Sequence, residues 1–245
     1  MRLAQILFSQ GFGTRRECNG VIAAGRVSIA GEIQDDPQHE VEPDGLTFCV
    51  NGVEWPYRER ALMMLNKPSG YECSQKPRHH PSVYSLLPAP LRQRDVQAIG
   101  RLDEDTTGLL LFTDDGALIH RLTSPKHHVA KVYEVTCNHA VDETQARRLR
   151  DGVMLLDETT PVRAAACEVT GPTTLRLTLL EGKYHQVKRM IAAVGNRVQG
   201  LHRSRFGGLS LPADLASGQW CWLDGPHLID TDNAAHARIP RGPPP

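Results

Sequence analysis

Aromatic residues are scarce in this chain: five Phe, three Trp and five Tyr make up 5 % of 245 positions. Long apolar runs are absent, and none approaches the ~20 residues that a membrane-crossing helix needs. The opening Met1-Arg2-Leu3-Ala4-Gln5 turns polar too early for a secretory signal. Six cysteines (Cys18, Cys49, Cys73, Cys137, Cys167, Cys221) lie far apart and form no Cys-x-x-Cys pair. That spacing speaks against a disulfide framework or a zinc site, and for reduced thiols in a cytoplasm. A Gly-Lys-Ser/Thr loop is missing, which removes the usual phosphate cradle of nucleotide hydrolases. Net charge is missing too, with 28 Lys and Arg against 28 Asp and Glu, so the overall balance announces no nucleic-acid partner.

What is present suits a soluble globular protein: 40 % hydrophobic and 23 % charged residues, in a length that allows one medium domain or a small module joined to a larger one. The charge is unevenly placed. From Glu181 to Phe206 the chain carries Lys183, Lys188, Arg189, Arg197, Arg203 and Arg205 against Glu181 alone, and residues 1–31 carry Arg2, Arg15, Arg16 and Arg26 against Glu17. Residues 32–57 hold seven acids and no Lys or Arg. Local basic faces on a neutral chain can hold phosphates without coating the protein in non-specific RNA; solvated faces would look the same.

Leu3, Ile6 and Leu7 fall at helical spacing, and Gly11-Phe12-Gly13 ends that helix. Thr14-Arg15-Arg16-Glu17 reads as a capping box opening a second helix, which runs to about Ala24 and stops at Gly25. Arg26–Ala30 alternates as a strand does, and Asn51-Gly52 between Leu46–Val50 and Val53–Trp55 is a two-residue hairpin signal. This pattern resembles the S4 RNA-binding domain, carried by Arg2-Leu3, Gly11, Thr14-Arg15, Ile22, Gly25, Val27, Gly31, Pro37, Val41 and Asp44, with Ala4 where that family usually has Asp. The resemblance implies that Arg15, Arg16 and Arg26 touch RNA. Pro56 and the polar Tyr57-Arg58-Glu59-Arg60 mark a linker, giving an S4-like unit over 1–57 and a second unit over 61–230. A disordered tail is expected over 231–245.

In the second unit Ala61–Leu65 is a short apolar strand leading to a turn at Asn66-Lys67-Pro68-Ser69-Gly70-Tyr71. Ala98-Ile99 leads into a polar stretch from Gly100 to Gly108, followed by the buried-strand pattern Leu109-Leu110-Leu111-Phe112. Arg101, Asp103, Glu104 and Asp105 in that stretch admit three readings: solvated turn residues, hard ligands for a divalent metal together with Asp114 and Asp115, or a catalytic carboxylate. Spacing alone does not separate them. His79-His80 and His127-His128 are adjacent pairs that rarely chelate one metal, and they read as RNA-contact or surface residues.

The whole string does separate them. Gly100-Arg101-Leu102-Asp103-Glu104-Asp105-Thr106-Thr107-Gly108 and the following apolar run resemble the signature loop of the RsuA family of pseudouridine synthases. Leu65-Asn66-Lys67-Pro68-x-Gly70-Tyr71, Lys131-x-Tyr133-x-Val135, Glu181-Gly182-Lys183-Tyr184-His185-Gln186-Val187-Lys188-Arg189-Met190 and Leu201-His202-Arg203 match in the family's order. The resemblance implies an α+β protein in which a mixed or antiparallel-sheet catalytic domain follows the S4-like one. It implies isomerisation of a uridine in ribosomal RNA, 16S rRNA before 23S, without cofactor or metal, by a monomer.

It further implies that Asp103 is the essential aspartate, attacking C1′ or removing a C2′ proton, that Tyr133 stacks on the target base, and that Lys188 pairs with Asp103. Lys67, Arg101, Lys183, Arg189 and Arg203 are expected at the RNA, and Glu104 and Asp105 as loop-shaping residues. A non-catalytic RNA-binding assembly factor, the competing class, should have lost the carboxylate.

Overall fold

A computed structural model describes residues 1–230, so the expected tail over 231–245 lies outside the described residues. The chain opens with two short helices, α1 (Leu3–Ser9) and α2 (Arg15–Ala23). Leu3, Ile6, Leu7, Cys18 and Ile22 face inward, as their spacing requires. Thr14 caps α2: its hydroxyl accepts from Glu17 N, and the Glu17 carboxylate accepts from Thr14 N at 2.7 Å. Strands β1 (Val27–Ile29), β2 (Glu32–Gln34), β3 (Thr47–Val50) and β4 (Val53–Pro56) form a four-stranded antiparallel sheet in the order β2-β1-β3-β4. The β3–β4 turn is Asn51-Gly52, both with positive φ (51° and 82°), the conformation that this dipeptide favours.

The rest of the chain builds one nine-stranded sheet from β5 (Leu62–Lys67), β6 (Gln97–Ala98), β7 (Thr107–Thr113), β8 (Lys131–Cys137), β9 (Ala166–Gly171), β10 (Thr174–Leu179), β11 (Val198–Phe206), β12 (Leu209–Ser210) and β13 (Trp220–Trp222). Its main order is β13-β5-β7-β11-β8-β10-β9, with β6 added to β7 and β12 to β11. All pairs are antiparallel except β7 with β11, where His202 opposes Thr107 and Arg203 opposes Gly108. Helices α3 (Ala89–Gln93), α4 (Gly116–Thr123), α5 (Glu143–Asp151), α6 (Gln186–Ala193) and α7 (His227–Asp230) complete the α+β architecture.

Two carboxylates weighed as metal ligands have other duties. Asp114 accepts from the Ala61 amide (2.8 Å) and from Arg94 Nε (3.0 Å), and Asp115 caps α4 by accepting from Ala117 N and Leu118 N. No described helix is long and apolar enough to cross a membrane.

The segment Tyr57–Arg60 connects the two sheets, but it is no loose tether. Buried Arg94 donates to Gln10 Oε1, to the Arg58 and Glu59 carbonyls and to Asp114, and so staples α1, the connection and β7. The few aromatics converge at the same junction. Trp55 packs edge-on against Trp222 (5.5 Å between centroids) and Phe12 (5.3 Å), and Trp220 against Trp222 (5.3 Å). One apolar core therefore runs from α1 and β3 through to Met63, Leu65 and Leu110 of the large sheet. Each edge-on pair contributes ~0.5–1.5 kcal/mol beyond its buried area, which makes separation of the two units costly.

Candidate active site

The polar loop from Gly100 to Thr106 enters β7 beside β11, and this parallel contact dictates its shape. Gly108 has φ 103°, and a Cβ there would lie 2.3 Å from the Arg203 carbonyl oxygen, so only glycine lets the two backbones meet. The loop is held from beneath by Lys67. Expected at the RNA, Lys67 is instead fully buried, with Nζ donating to the carbonyls of Pro68, Asp103, Glu104 and Thr106 at 2.9–3.1 Å. Its turn gives a lysine no route to solvent, and four convergent carbonyls replace the water it loses. Gly70 N adds a bond to Glu104 O (2.8 Å), and Leu102 N donates to Cys73 Sγ (3.4 Å).

Above this base lies a pocket of about 320 Å³, lined by the loop, by Lys131 and Tyr133 of β8, by Arg203 and Phe206 of β11, and by the segment from Leu179 to Lys188. Asp103 stands in its wall with its carboxylate a quarter exposed. Lys188, on the first turn of α6, reaches Asp103 Oδ2 at 3.1 Å and Asp105 at 2.7 Å and 2.9 Å. Asp105 thus holds the same cation as Asp103, a role that its loop-shaping reading missed. Burial alone would lower the Lys188 pKa, but the hydrogen bonds from Lys188 to Asp105 and Asp103 outweigh it and raise it, so the ammonium stays charged well into alkaline pH.

His185 was also missed. It sits at the N-terminus of α6 in a left-handed conformation (φ 47°), stacked on Tyr184 at 3.8 Å, with Nε2 3.4 Å from Asp103 Oδ1. Its position three residues before Lys188, on the same helix face, was the available signal. Val187, Met190, Ile191 and Val194 turn inward, at the spacing of one helix face.

The remaining expected RNA contacts divide. Arg15, Arg16, Arg26 and Arg101 are exposed. Lys183 is tied to Glu158 (2.7 Å), and Arg189 lies 3.6 Å from Asp157 and donates to Tyr184 O. Arg203 corrects its expectation: it is 3 % exposed, donates from Nε to Leu109 O at 2.8 Å, and lines the pocket from within rather than standing on the surface. Tyr133 is half-buried opposite Arg203 in the β8–β11 register and lines the pocket. His79 and His80 are exposed on a loop pinned by Glu72, which accepts the amides of Arg78, His79 and His80. Those bonds pull the Glu72 pKa down to about 2. The anchor is therefore at full strength above the ordinary carboxylate range and is lost as pH falls toward 2.

The profile of the RNA pseudouridylate synthase family matches residues 61–193, more than half of the chain, and that of the S4 domain matches residues 1–45. The chain belongs to the RNA pseudouridylate synthase family. It is similar to ribosomal small subunit pseudouridine synthase A of Escherichia coli K12, 44 % identical over 226 residues that cover 90 % of this chain and 95 % of the relative. The same-named proteins of Yersinia pestis and Haemophilus influenzae are 43 % and 38 % identical, again over 90 % of this chain. A crystal structure of a pseudouridylate synthase matches with a TM-score of 0.66 and 36 % identity, covering 93 % of this chain and 98 % of that one. This synthase accordingly isomerises uridine in RNA, with an RNA-binding S4 domain at its N-terminus.

The geometry bears on how the synthase divides labour between its acids. Lys188→Met should slow turnover by ~10²–10³-fold, the usual cost of removing one charged donor from an active site. Asp105→Asn should cost less than about tenfold, because Asp103 then has the cation to itself. Single-turnover rates of the two variants check this, and equal losses would show that Asp105 is as necessary as the pair.

Proposed function

We infer that this synthase converts a uridine of small-subunit ribosomal RNA to pseudouridine with Asp103 as its essential carboxylate. The observation that carries the reading is the Asp103 carboxylate in the pocket wall, held by Lys188 at 3.1 Å and sharing that pocket with Tyr133. Isomerisation detaches uracil at N1 and rejoins it at C5, with no net change in redox state, water or phosphate. One carboxylate near the ribose and a pocket that retains the base suffice, and neither cofactor nor metal is called for. Tyr133 stacks on the extruded base, a contact worth ~1–3 kcal/mol. The names of the relatives support small-subunit rRNA as the substrate. Residues 1–57 serve as the RNA-binding unit and 61–230 as the catalytic one, in a cytoplasmic monomer. Arg101, Lys183 and Arg189 meet the RNA around the pocket mouth.

Pseudouridine mapping in rRNA from cells lacking this protein tests the reading. A single small-subunit site should revert to uridine, and reversion only in large-subunit RNA would overturn it. Replacing Arg15, Arg16 and Arg26 together with Gln should raise the half-saturating RNA concentration while leaving the maximal rate. The salt dependence of binding should flatten by ~0.9 per lost contact on duplex-like RNA. Unchanged affinity and slope would leave the S4 face without a role in RNA binding.

A further inference from the structure

Charge in the pocket does not balance. Five Lys and Arg side chains line it against two carboxylates, Asp103 and Glu181. Lys188 is matched by Asp103 and Asp105, Lys183 by Glu158, and Arg101 stands in solvent. That leaves Lys131 and Arg203 on the floor, neither in an ion pair among the described residues. Arg203 is 3 % exposed, and its Nη2 is buried without a hydrogen-bond partner. Both cations lie against one ring, Phe206, with Lys131 Nζ at 5.4 Å and the Arg203 guanidinium carbon at 5.3 Å. The register explains the cluster: Phe206 opposes Lys131 and Arg203 opposes Tyr133, so all four side chains rise from adjacent strands on the same face of the sheet.

Two like charges against one ring in a partly buried pocket weaken each other. Burial and, second, the Arg203 charge push the Lys131 pKa down to about 8, with Glu181 opposing. The Phe206 ring offsets part of that cost, and sites that hold charge against stability are where chemistry is done.

We propose that Lys131 and Arg203 form a cationic floor that stabilises the negative charge on uracil while it is detached from the ribose. When the C1′–N1 bond breaks, its electron pair leaves with the base and spreads from N1 over O2 and O4. Asp103 supplies the compensating step at the sugar, by bonding to C1′ or by taking the C2′ proton. After the base turns, C5 donates a pair to C1′ while the Asp103–C1′ bond breaks or Asp103 returns its proton to C2′; C5 then loses its proton and N1 gains one, so atoms and charge balance. Between those bonds the ring is an anion beside Tyr133, and two cations held in no ion pair among the described residues line its pocket. This role rests on uridine isomerisation at Asp103 and not on which rRNA supplies the uridine.

Arg203 also holds Leu109 O, so its truncation risks the fold, and Lys131 carries the test. With wild-type protein active on small-subunit rRNA, Lys131→Met should slow single turnover at saturating RNA by ~100-fold or more. RNA affinity should be unchanged and the melting temperature no lower than wild type, because a half-buried cation beside a like charge is removed. With 5-fluorouridine at the target the base leaves as a better-stabilised anion, and the deficit in glycosidic cleavage should shrink by about tenfold. The wild-type rate should fall above about pH 8 as Lys131 loses its proton, and Lys131→Arg should keep the rate and lack that fall. A wild-type rate in Lys131→Met, an equal deficit with uridine and 5-fluorouridine, or weaker RNA binding at an unchanged rate would each overturn the proposal. The last outcome would mark the pair as a phosphate site.

Discussion

Purified Asp103→Asn is expected to bind its RNA and to melt as the wild type does, while turning over at least about a thousandfold more slowly. The fold survives because the structural work of residue 103 is done by its backbone. The carbonyl accepts from Lys67 Nζ at 3.0 Å, and asparagine keeps that carbonyl. Among the described residues its side chain meets Lys188 (3.1 Å) and His185 (3.4 Å), and an amide oxygen still accepts from Lys188. What asparagine lacks is the negative charge and the lone pairs of a carboxylate, and a glycosidic bond that does not break unaided needs them. Single-turnover assays with binding measured in parallel separate the effects. Turnover within tenfold of wild type would show that another group performs the chemistry.

Lys67→Met should give the largest loss of stability of any single change near the site. Burial lowers the Lys67 pKa, so the charge by itself is a cost to the folded state. The stabilising part is the set of four carbonyls that Nζ satisfies at once, two of them belonging to Asp103 and Glu104. Methionine fills the space and strands those oxygens out of reach of water. A cost of roughly 2–5 kcal/mol follows from leaving buried acceptors unpaired. For a chain of this size that corresponds to a melting temperature lower by roughly 5–15 °C. Activity should fall with it because the Asp103 loop loses its base, while RNA affinity measured well below the transition changes little. A protein that melts normally and binds RNA weakly would return Lys67 to the RNA-contact role that its motif suggested.

Much of the local structure was legible because its causes lie within a few residues. Thr14 and Glu17 cap α2 through a three-residue exchange of hydrogen bonds, and Asn51-Gly52 turns β3 into β4 because both residues tolerate positive φ. Leu109–Phe112 is buried because a run with no polar face has nowhere else to go. The pairing of Lys188 with Asp103 was legible only through family resemblance, and the structure brings the two together at 3.1 Å.

The misses share one physical origin. Lys67 and Arg203 read as RNA contacts because basic residues in polar motifs usually seek water or phosphate. Whether they reach it depends on which strand lies beside them. Lys67 ends β5 beneath a loop 36 to 39 residues away, and Arg203 lies under β7 through the single parallel contact of the sheet. Asp105 and Lys188 are 83 residues apart, and nothing in either neighbourhood encodes their meeting. The joining of the two units was hidden in the same way: Trp55 and Trp222 are ordinary apolar residues until folding stacks them across the junction. The sequence by itself determined the helices, the turns and the buried runs, set by dihedral preference and hydrophobic spacing over short stretches, and its family resemblance singled out the loop from Gly100 to Gly108. Tertiary structure alone decided which charges are buried, which carboxylates share a cation, and that two cations line the pocket outside any ion pair among the described residues, because strand order and register choose the neighbours that set the local dielectric.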